Sequence, residues 1–368
     1  MKLPFVDLKA QYYNLKKEID SAIAAVIADT AFIGGSSNKY VTRFEQEFAT
    51  FLNLKHVASC ANGTDSIEML LEAFGIKAGD EVIVPALSWI STSEAVGRMG
   101  AKAVFVDVEK DTLLINLAKI EEKITAKTRA IIPVHLYGNA VNMPVVMQLA
   151  EKHRLIVIED CAQAHEAAFN GQMVGTFGHA ASFSFYPGKN LGAYGDAGCI
   201  ATNDEAIASR FRMIANHGQL EKHNHVMEGR NSRLDGIHAA ILSAKLPHLR
   251  GWNDLRIKHA KTLSGLIENK NFQLPSVNTN AKHVFHLFVI RHEKRDALKK
   301  YLSEKDIETA IHYPTPLPLL KAYAAYGYQA ADFPVAASET QRLLSLPMFP
   351  ELSEEQIRYL ATSLNEFN

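Results

Sequence analysis

The chain has 368 residues, enough for about two domains of ordinary size. Its 47% apolar and 21% charged residues are those of a globular protein with a normal core, and a formal net charge of −1 gives no global field to draw nucleic acid or an anionic membrane. Three scattered cysteines (Cys60, Cys161, Cys199) without a CxxC pair exclude a disulfide framework and a zinc ribbon, and with no membrane-length apolar run and no apolar signal core at the start, a reduced cytoplasmic protein is expected.

In chain order, the first apolar run is His56-Val57-Ala58-Ser59, and an amphipathic stretch over 66–74 predicts the helix that follows it. Further runs are Val82-Ile83-Val84-Pro85, Ala103-Val104-Phe105-Val106 and Ala130-Ile131-Ile132-Pro133-Val134. A second amphipathic stretch over 144–153 precedes Leu155-Ile156-Val157-Ile158, and the series closes with Ala181-Ser182-Phe183-Ser184-Phe185 and Gly198-Cys199-Ile200-Ala201. Short apolar β-type runs alternating with helices predict an α/β fold, a largely parallel sheet covered on both faces. Ligands in such sheets sit beyond the carboxyl ends of the strands. After about residue 235 the pattern changes to helices over 234–249 and 255–268, a strand over 284–290, and helices over 294–304 and 353–364. This predicts a smaller α+β domain over 249–368 behind a large domain over 1–248.

Several familiar signatures fail. Gly188-Lys189 does not complete a P-loop, because Phe183 stands where Gly is required and Asn190 where Ser or Thr is. No GxGxxG follows the first strand, and Phe169 takes the place of the second His of HExxH after His165-Glu166. His223-Asn224-His225 reads as a solvated loop in preference to a metal site, and no metal is expected.

Three clusters that each follow an apolar run carry the chemistry. Asn62-Gly63-Thr64-Asp65-Ser66 opens a helix, where free N–H groups attract phosphate and glycine admits close approach; a plain cap by Thr64 or Asp65 is the competing explanation. Glu159-Asp160-Cys161-Ala162-Gln163-Ala164-His165 ends a buried run on acids, which is costly unless a cation is met; an Asp capping the next helix is the alternative. Ser182-Phe183-Ser184-Phe185-Tyr186-Pro187-Gly188-Lys189-Asn190-Leu191-Gly192 presents a lysine after an aromatic strand, and an apolar pocket would make its amine a usable nucleophile, against the alternative of a solvated loop lysine. A phosphate anchor, a buried acid and a reactive lysine together are what pyridoxal 5′-phosphate (PLP) requires. Trp89 could give that ring a flat face, or could be an ordinary core tryptophan.

With these motifs in this order the chain resembles the sugar aminotransferases of the DegT/DnrJ/StrS family, PLP enzymes of fold type I. The resemblance starts at Pro4-Phe5-Val6-Asp7-Leu8 and takes in Gly79-Asp80-Glu81-Val82-Ile83-Val84-Pro85, His135-Leu136-Tyr137-Gly138 and the two clusters around Asp160 and Lys189. It continues through Asn231-Ser232-Arg233-Leu234-Asp235 and His312-Tyr313-Pro314 to Ser345-Leu346-Pro347. It implies a mostly parallel seven-stranded sheet in the large domain and a catalytic pair, Lys189 carrying the cofactor and Asp160 pairing with the pyridine nitrogen. Gln163 would contact the ring hydroxyl side, Trp89 would stack on the ring, and Gly63, Thr64 and Ser184, with Asp65 beside them, would hold the phosphate. Asn231 would reach the phosphate of a neighbouring subunit in a homodimer, and Tyr186, His312 and Tyr313 would lie near the sugar. One departure is Gly195-Asp196-Ala197-Gly198, where the family more often has Gly-Asp-Gly-Gly; the extra methyl should be tolerated unless Ala197 needs a positive φ.

The function this implies is transamination in two half-reactions, from an amino acid (L-glutamate) through PLP and its amine form PMP to a nucleotide-linked keto-sugar. The Tyr186-to-Gly192 segment is most like that of the 3-aminotransferases, which makes C3 of a dTDP-linked 3-keto-6-deoxyhexose the expected target and C4 of a 4-keto-6-deoxy sugar the alternative. A PLP-dependent sugar dehydratase would carry His in place of Lys189, and a non-catalytic regulator would have no need of the Lys189, Asp160 and Gln163 set.

Overall fold

The computed structural model describes residues 1–35 and 37–367. Two helices precede the first strand. Helix α1 (Leu8–Ala28) is capped by Asp7, whose side chain accepts the Ala10 N–H at 2.8 Å. Helix α2 (Lys39–Leu52) starts at the Asn38 cap and buries Val41, Phe44, Glu45, Phe48, Ala49 and Leu52, the spacing of one helical face.

The strands then follow as β1 (His56–Cys60), β2 (Glu81–Pro85), β3 (Lys102–Val106), β4 (Thr128–Ile131), β5 (Ile156–Asp160), the two-residue strands β6 (Ala168–Phe169) and β7 (Gln172–Met173), β8 (Ala180–Ser184) and β9 (Gly198–Thr202). Between them lie α3 (Gly63–Ala73), α4 (Ser91–Arg98) and α5 (Met143–His153), and α6 (Glu205–Ala215) follows. Among the described residues seven strands form one sheet in the order β1-β9-β8-β5-β4-β2-β3. Strand β9 runs antiparallel to both neighbours and the other pairs are parallel. Val82, Ile83, Val84, Ala130, Ile131, Val157 and Ile158 are all fully buried. A sheet covered on both faces can take apolar side chains in succession, which is why its strands are unbroken apolar runs in the sequence.

Helix α7 (Gly236–Lys245) gives way to a 3-10 turn over Leu246–His248 that contains Pro247, and α8 (Leu249–Leu266) follows at once. The expected break between 249 and 255 is absent. Gly251, Asn253 and Asp254 are poor helix formers, but Asn253 is buried and donates to His165 O at 3.0 Å and to Glu166 Oε2 at 2.8 Å, so packing overrides propensity. After β10 (Ala281–Lys282), which pairs with β6, the expected strand over 284–290 forms only in part: β11 (Phe288–Arg291) is paired, while Phe285 stands at φ +44°.

Helices α9 (Arg295–Glu304) and α10 (Pro334–Glu339), strand β12 (Leu343–Leu346) and helix α11 (Glu354–Asn365) complete the chain, with β12 antiparallel to β11. Leu3 packs with Phe288, Ile290, Leu298, Leu302, Leu344 and Leu360 in a cluster of their own. Leu317, Tyr323, Phe333 and Ala336 instead pack on the large sheet, where Tyr323 lies 5.3 Å from Phe105. No helix among the described residues is long and apolar enough to cross a membrane.

Candidate active site

A cavity of about 890 Å³ opens at the carboxyl ends of β1, β2, β5 and β8. Its first wall is the start of α3. Asn62 caps that helix, taking the Asp65 N–H on Oδ1 at 2.8 Å and the Ser66 N–H on its carbonyl at 3.2 Å. The helix thus begins at Gly63, three residues before the expected start, and neither Thr64 nor Asp65 is the cap. The first N–H groups of a helix have no partner within it, and Gly63 and Thr64, at the start of this one, line the cavity, a placement that suits an anion. A Cβ on Gly63 would come within 2.7 Å of Ser184 Cβ, so glycine is what brings the helix start against the end of β8. The Thr64 hydroxyl pairs with Ser91 at 2.6 Å, and Asp65 accepts from Ser232 at 2.6 Å.

The second wall is the end of β5. Asp160 is 5% exposed, and among the described residues its carboxylate accepts two hydrogen bonds, from the Thr92 hydroxyl at 2.9 Å and from Ala162 N–H at 3.1 Å. Burial raises its carboxyl above the usual range, against those two donors and the charge of Lys189. The Ala162 contact closes a local turn, and no α-helix follows for Asp160 to cap. Gln163 lines the same wall, held through Oε1 by the Tyr137 N–H at 2.7 Å.

The third wall follows β8. Phe183 and Phe185 are anchored edge-on against Phe48, at 5.1 and 5.3 Å, and the turn after them places Lys189, whose N–H bonds Tyr186 O at 2.8 Å. The Lys189 side chain lines the cavity, and burial pushes its amine down to about 8, with Asp160 pulling the other way. Ala197 does not adopt a positive φ, and its carbonyl accepts the Phe185 N–H at 2.8 Å, so the methyl at this departure from the family pattern is accommodated.

Chain ends close the space. His312, Tyr313, Phe5, Val6, His286, Leu287, Arg256, Leu346 and Met348 all face it. Burial lowers His312 to about 4 and His286 well below the ordinary value, so both rings are neutral at pH 7. Trp89 is 57% exposed at the cavity rim, 5.5 Å from the Tyr313 ring, and is no core tryptophan. Tyr186 is exposed and also lines the cavity, whereas Asn231 is exposed and stands outside its walls. His223 and His225 are exposed, and His225 spends Nδ1 on His217 O at 2.7 Å. Ser88, Ser91 and Thr92 were not anticipated, although their position just beyond β2 is where the strand-end rule points. Arg256 and His286 have no local sequence signal.

The arrangement fits a cofactor with a phosphate, a basic ring and an aldehyde. Two helix-start N–H groups suit the phosphate, a buried carboxylate with spare acceptor capacity suits a ring cation, and a lysine partly neutral near pH 8 suits the aldehyde.

The model of the DegT/DnrJ/EryC1/StrS aminotransferase family matches residues 13–365. A pleiotropic regulatory protein of Geobacillus stearothermophilus is 45% identical, covering 100% of this chain and 99% of the relative. A UDP-N-acetyl-3-dehydro-alpha-D-glucosamine 3-aminotransferase of Acidithiobacillus ferrooxidans is also 45% identical, over 98% of this chain and 96% of the relative. The crystal structure of Streptomyces venezuelae DesV in complex with a ketimine intermediate superposes with a TM-score of 0.96 at 39% identity, over 99% of this chain and 98% of that one. With the fold, the cavity and these likenesses in agreement, the chain belongs to the DegT/DnrJ/EryC1/StrS aminotransferases and is a PLP-dependent nucleotide-sugar aminotransferase.

Proposed function

We propose that the enzyme moves an amino group from L-glutamate to C3 of a dTDP-linked 3-keto-6-deoxyhexose. The observation that carries the reading is the convergence on one cavity of the Lys189 amine, the under-satisfied Asp160 carboxylate and the free N–H groups of Gly63 and Thr64. PLP, when bound, supplies an electron sink for the carbon that gains or loses its proton. Lys189 holds the aldehyde and, once displaced, moves the proton; Asp160 keeps the ring nitrogen protonated. Gly63, Thr64 and Ser184 hold the phosphate with Asp65 beside them, Gln163 meets the ring hydroxyl side, and Trp89 stacks on the ring. Tyr186, His312 and Tyr313 border the sugar. The smaller domain over 249–368 contributes the last two, and the enzyme works in the cytoplasm.

The choice of C3 rests on Tyr186, which lines the cavity three residues before Lys189 and helps set which sugar carbon approaches the amine. The 3-aminotransferase of Acidithiobacillus ferrooxidans supports the position and favours, as a second reading, a UDP-linked sugar. Matched 3-keto and 4-keto sugars on dTDP and on UDP, offered with glutamate, decide both. NMR should place the new C–N bond at C3 of the dTDP compound; nitrogen at C4 overturns the position, and turnover confined to UDP sugars overturns the base.

The working unit is a homodimer in which Asn231 serves the neighbour's phosphate. Asn231 is exposed beyond its own cavity, and Trp89 and Tyr186 expose apolar surface around the cavity mouth that a second copy would cover. Lys189→Ala and Asn231→Asp chains, each inactive alone, should regain activity when mixed, because the mixed dimer keeps one intact site. A fully active monomer in sedimentation rules this arrangement out.

A further inference from the structure

Tyr137 sits just after His135 on the loop that leaves β4, at φ +62° and ψ +2°, a left-handed conformation that is uncommon for a bulky residue and points to a constraint imposed by its surroundings. The side chain is 5% exposed. This conformation aims its N–H at Gln163 Oε1, 2.7 Å away. A backbone N–H can only donate, so the amide oxygen of Gln163 is the atom facing Tyr137 and the nitrogen faces the opposite way. That nitrogen donates to the Tyr313 hydroxyl oxygen at 3.0 Å. Tyr313 therefore receives a hydrogen bond from Gln163, and its own hydrogen is left to donate elsewhere. The residue lines the cavity, and burial holds its hydroxyl protonated far above the ordinary pH range.

The other end of Tyr137 fixes the opposite wall. Its hydroxyl donates to the His312 carbonyl oxygen, and its own carbonyl accepts the Leu287 N–H at 3.2 Å. Gly138, at φ +96°, accepts the Val284 N–H at 3.0 Å, and a Cβ there would lie 2.9 Å from Val284 Cγ2. One buried residue thus ties together Gln163, the His286-Leu287 wall and the His312-Tyr313 wall.

We propose that Tyr137 is a positioning residue that fixes the Gln163 amide and the Tyr313 hydroxyl so that both offer hydrogen-bond donors to one acceptor in the cavity, the phenolic oxygen of the cofactor. The proposal rests on the reading of this cavity as the PLP site. Donors on a phenolic oxygen stabilise its negative charge, and so lower the pH at which the neighbouring proton of the bound cofactor is lost and its visible absorption changes. Losing one donor raises that pH.

The test is a pH titration of the visible band of the holoenzyme, with unfolding by urea measured beside it. Tyr313→Phe, which removes a donor outright, should raise the midpoint by about one pH unit, tenfold in proton affinity. Tyr137→Phe removes the hydroxyl that holds the His312-Tyr313 wall and should raise the midpoint in the same direction by about half a unit. A purely structural Tyr137 would change the urea midpoint and leave the absorption midpoint where it was, which overturns the proposal. Gln163→Glu breaks the relay without touching Tyr137, since a carboxylate takes the Tyr313 hydrogen for itself; an unmoved midpoint in this variant overturns the proposal even where Tyr137→Phe does not fold. A wild-type protein that takes up PLP without ever showing a visible band overturns instead the reading of the site on which the proposal rests.

Discussion

Glu159 and Asp160 are consecutive carboxylates at the end of β5, both buried, and they meet opposite environments because successive strand side chains point to opposite faces. Glu159 is enclosed by donors. Oε1 accepts the Phe177 and Gly178 N–H groups at 2.8 and 2.7 Å, and Oε2 accepts the Gly175 N–H at 2.8 Å and His135 Nε2 at 3.0 Å. The Val141 N–H meets His135 Nδ1 at 3.1 Å, which leaves the ring hydrogen on Nε2 for the glutamate. Asp160 has two donors and an open cavity. A buried acid therefore marks a ligand site when the fold leaves it acceptor capacity, and marks scaffold when the fold uses that capacity up. His135, Glu159 and Cys161 bring possible metal-ligand atoms within 4.8 Å of one another, but a carboxylate that already accepts four hydrogen bonds has no lone pair to spare.

Exchanging each acid for its amide should break the pair in opposite ways. In Asp160→Asn the side-chain oxygen can keep the Ala162 N–H, and the amide can donate to the Thr92 hydroxyl, which rotates to accept. The protein should fold with near-normal stability while turnover falls about 10²–10³-fold, the size of a lost preorganised charge. In Glu159→Gln an NH₂ group must face at least one N–H in either orientation. Stability should fall by about 2–3 kcal/mol, the cost of unpaired buried donors, with PLP absorption retained. Urea unfolding of the two apoproteins and single-turnover rates of the two holoenzymes give the four numbers. Equal losses of stability, or equal losses of rate, would show that the two environments do not differ as described.

What made Asp160, Lys189, Gly63 and Thr64 legible in the sequence is that each stands within a few residues of an apolar run, so a strand-end rule found them from local pattern alone. The seven main strands were legible for the same reason, being continuous apolar segments. The closing side of the cavity was harder. His312 and Tyr313 came only from resemblance, while Phe5, Arg256 and His286 reach the site through the packing of the chain ends, which leaves no periodic trace. The strand expected over 284–290 fails where it matters most, because Val284 and Leu287 give their N–H groups to Gly138 and Tyr137 instead of to a neighbouring strand. Thr92 was within reach of the rule that found Asp160 and was missed because a hydroxyl at a helix start looks like any cap.

The smallest expected effect concerns Lys189 and its pH response. Burial depresses the Lys189 amine to about 8 from an ordinary 10.5, and the negative charge of Asp160 opposes that shift. Only the neutral amine adds to the cofactor aldehyde, so the rate at which apoprotein captures PLP should rise with pH through about 8 and then level off. Because the folded amine releases its proton more readily than the unfolded one, the unfolded state binds more protons between the two values. This group therefore adds stability to the apoprotein as pH rises across that window. Asp160→Asn removes the influence that raises the amine, and its capture midpoint should move lower. Glu159 lies on the other face of β5 and does not line the cavity, so Glu159→Gln should leave the midpoint alone. Stopped-flow mixing of apoprotein with PLP at a series of pH values measures all three midpoints. A wild-type midpoint near 10 would mean that burial does not depress the amine, and a midpoint that stays put or rises in Asp160→Asn would mean that the Asp160 charge does not hold it up.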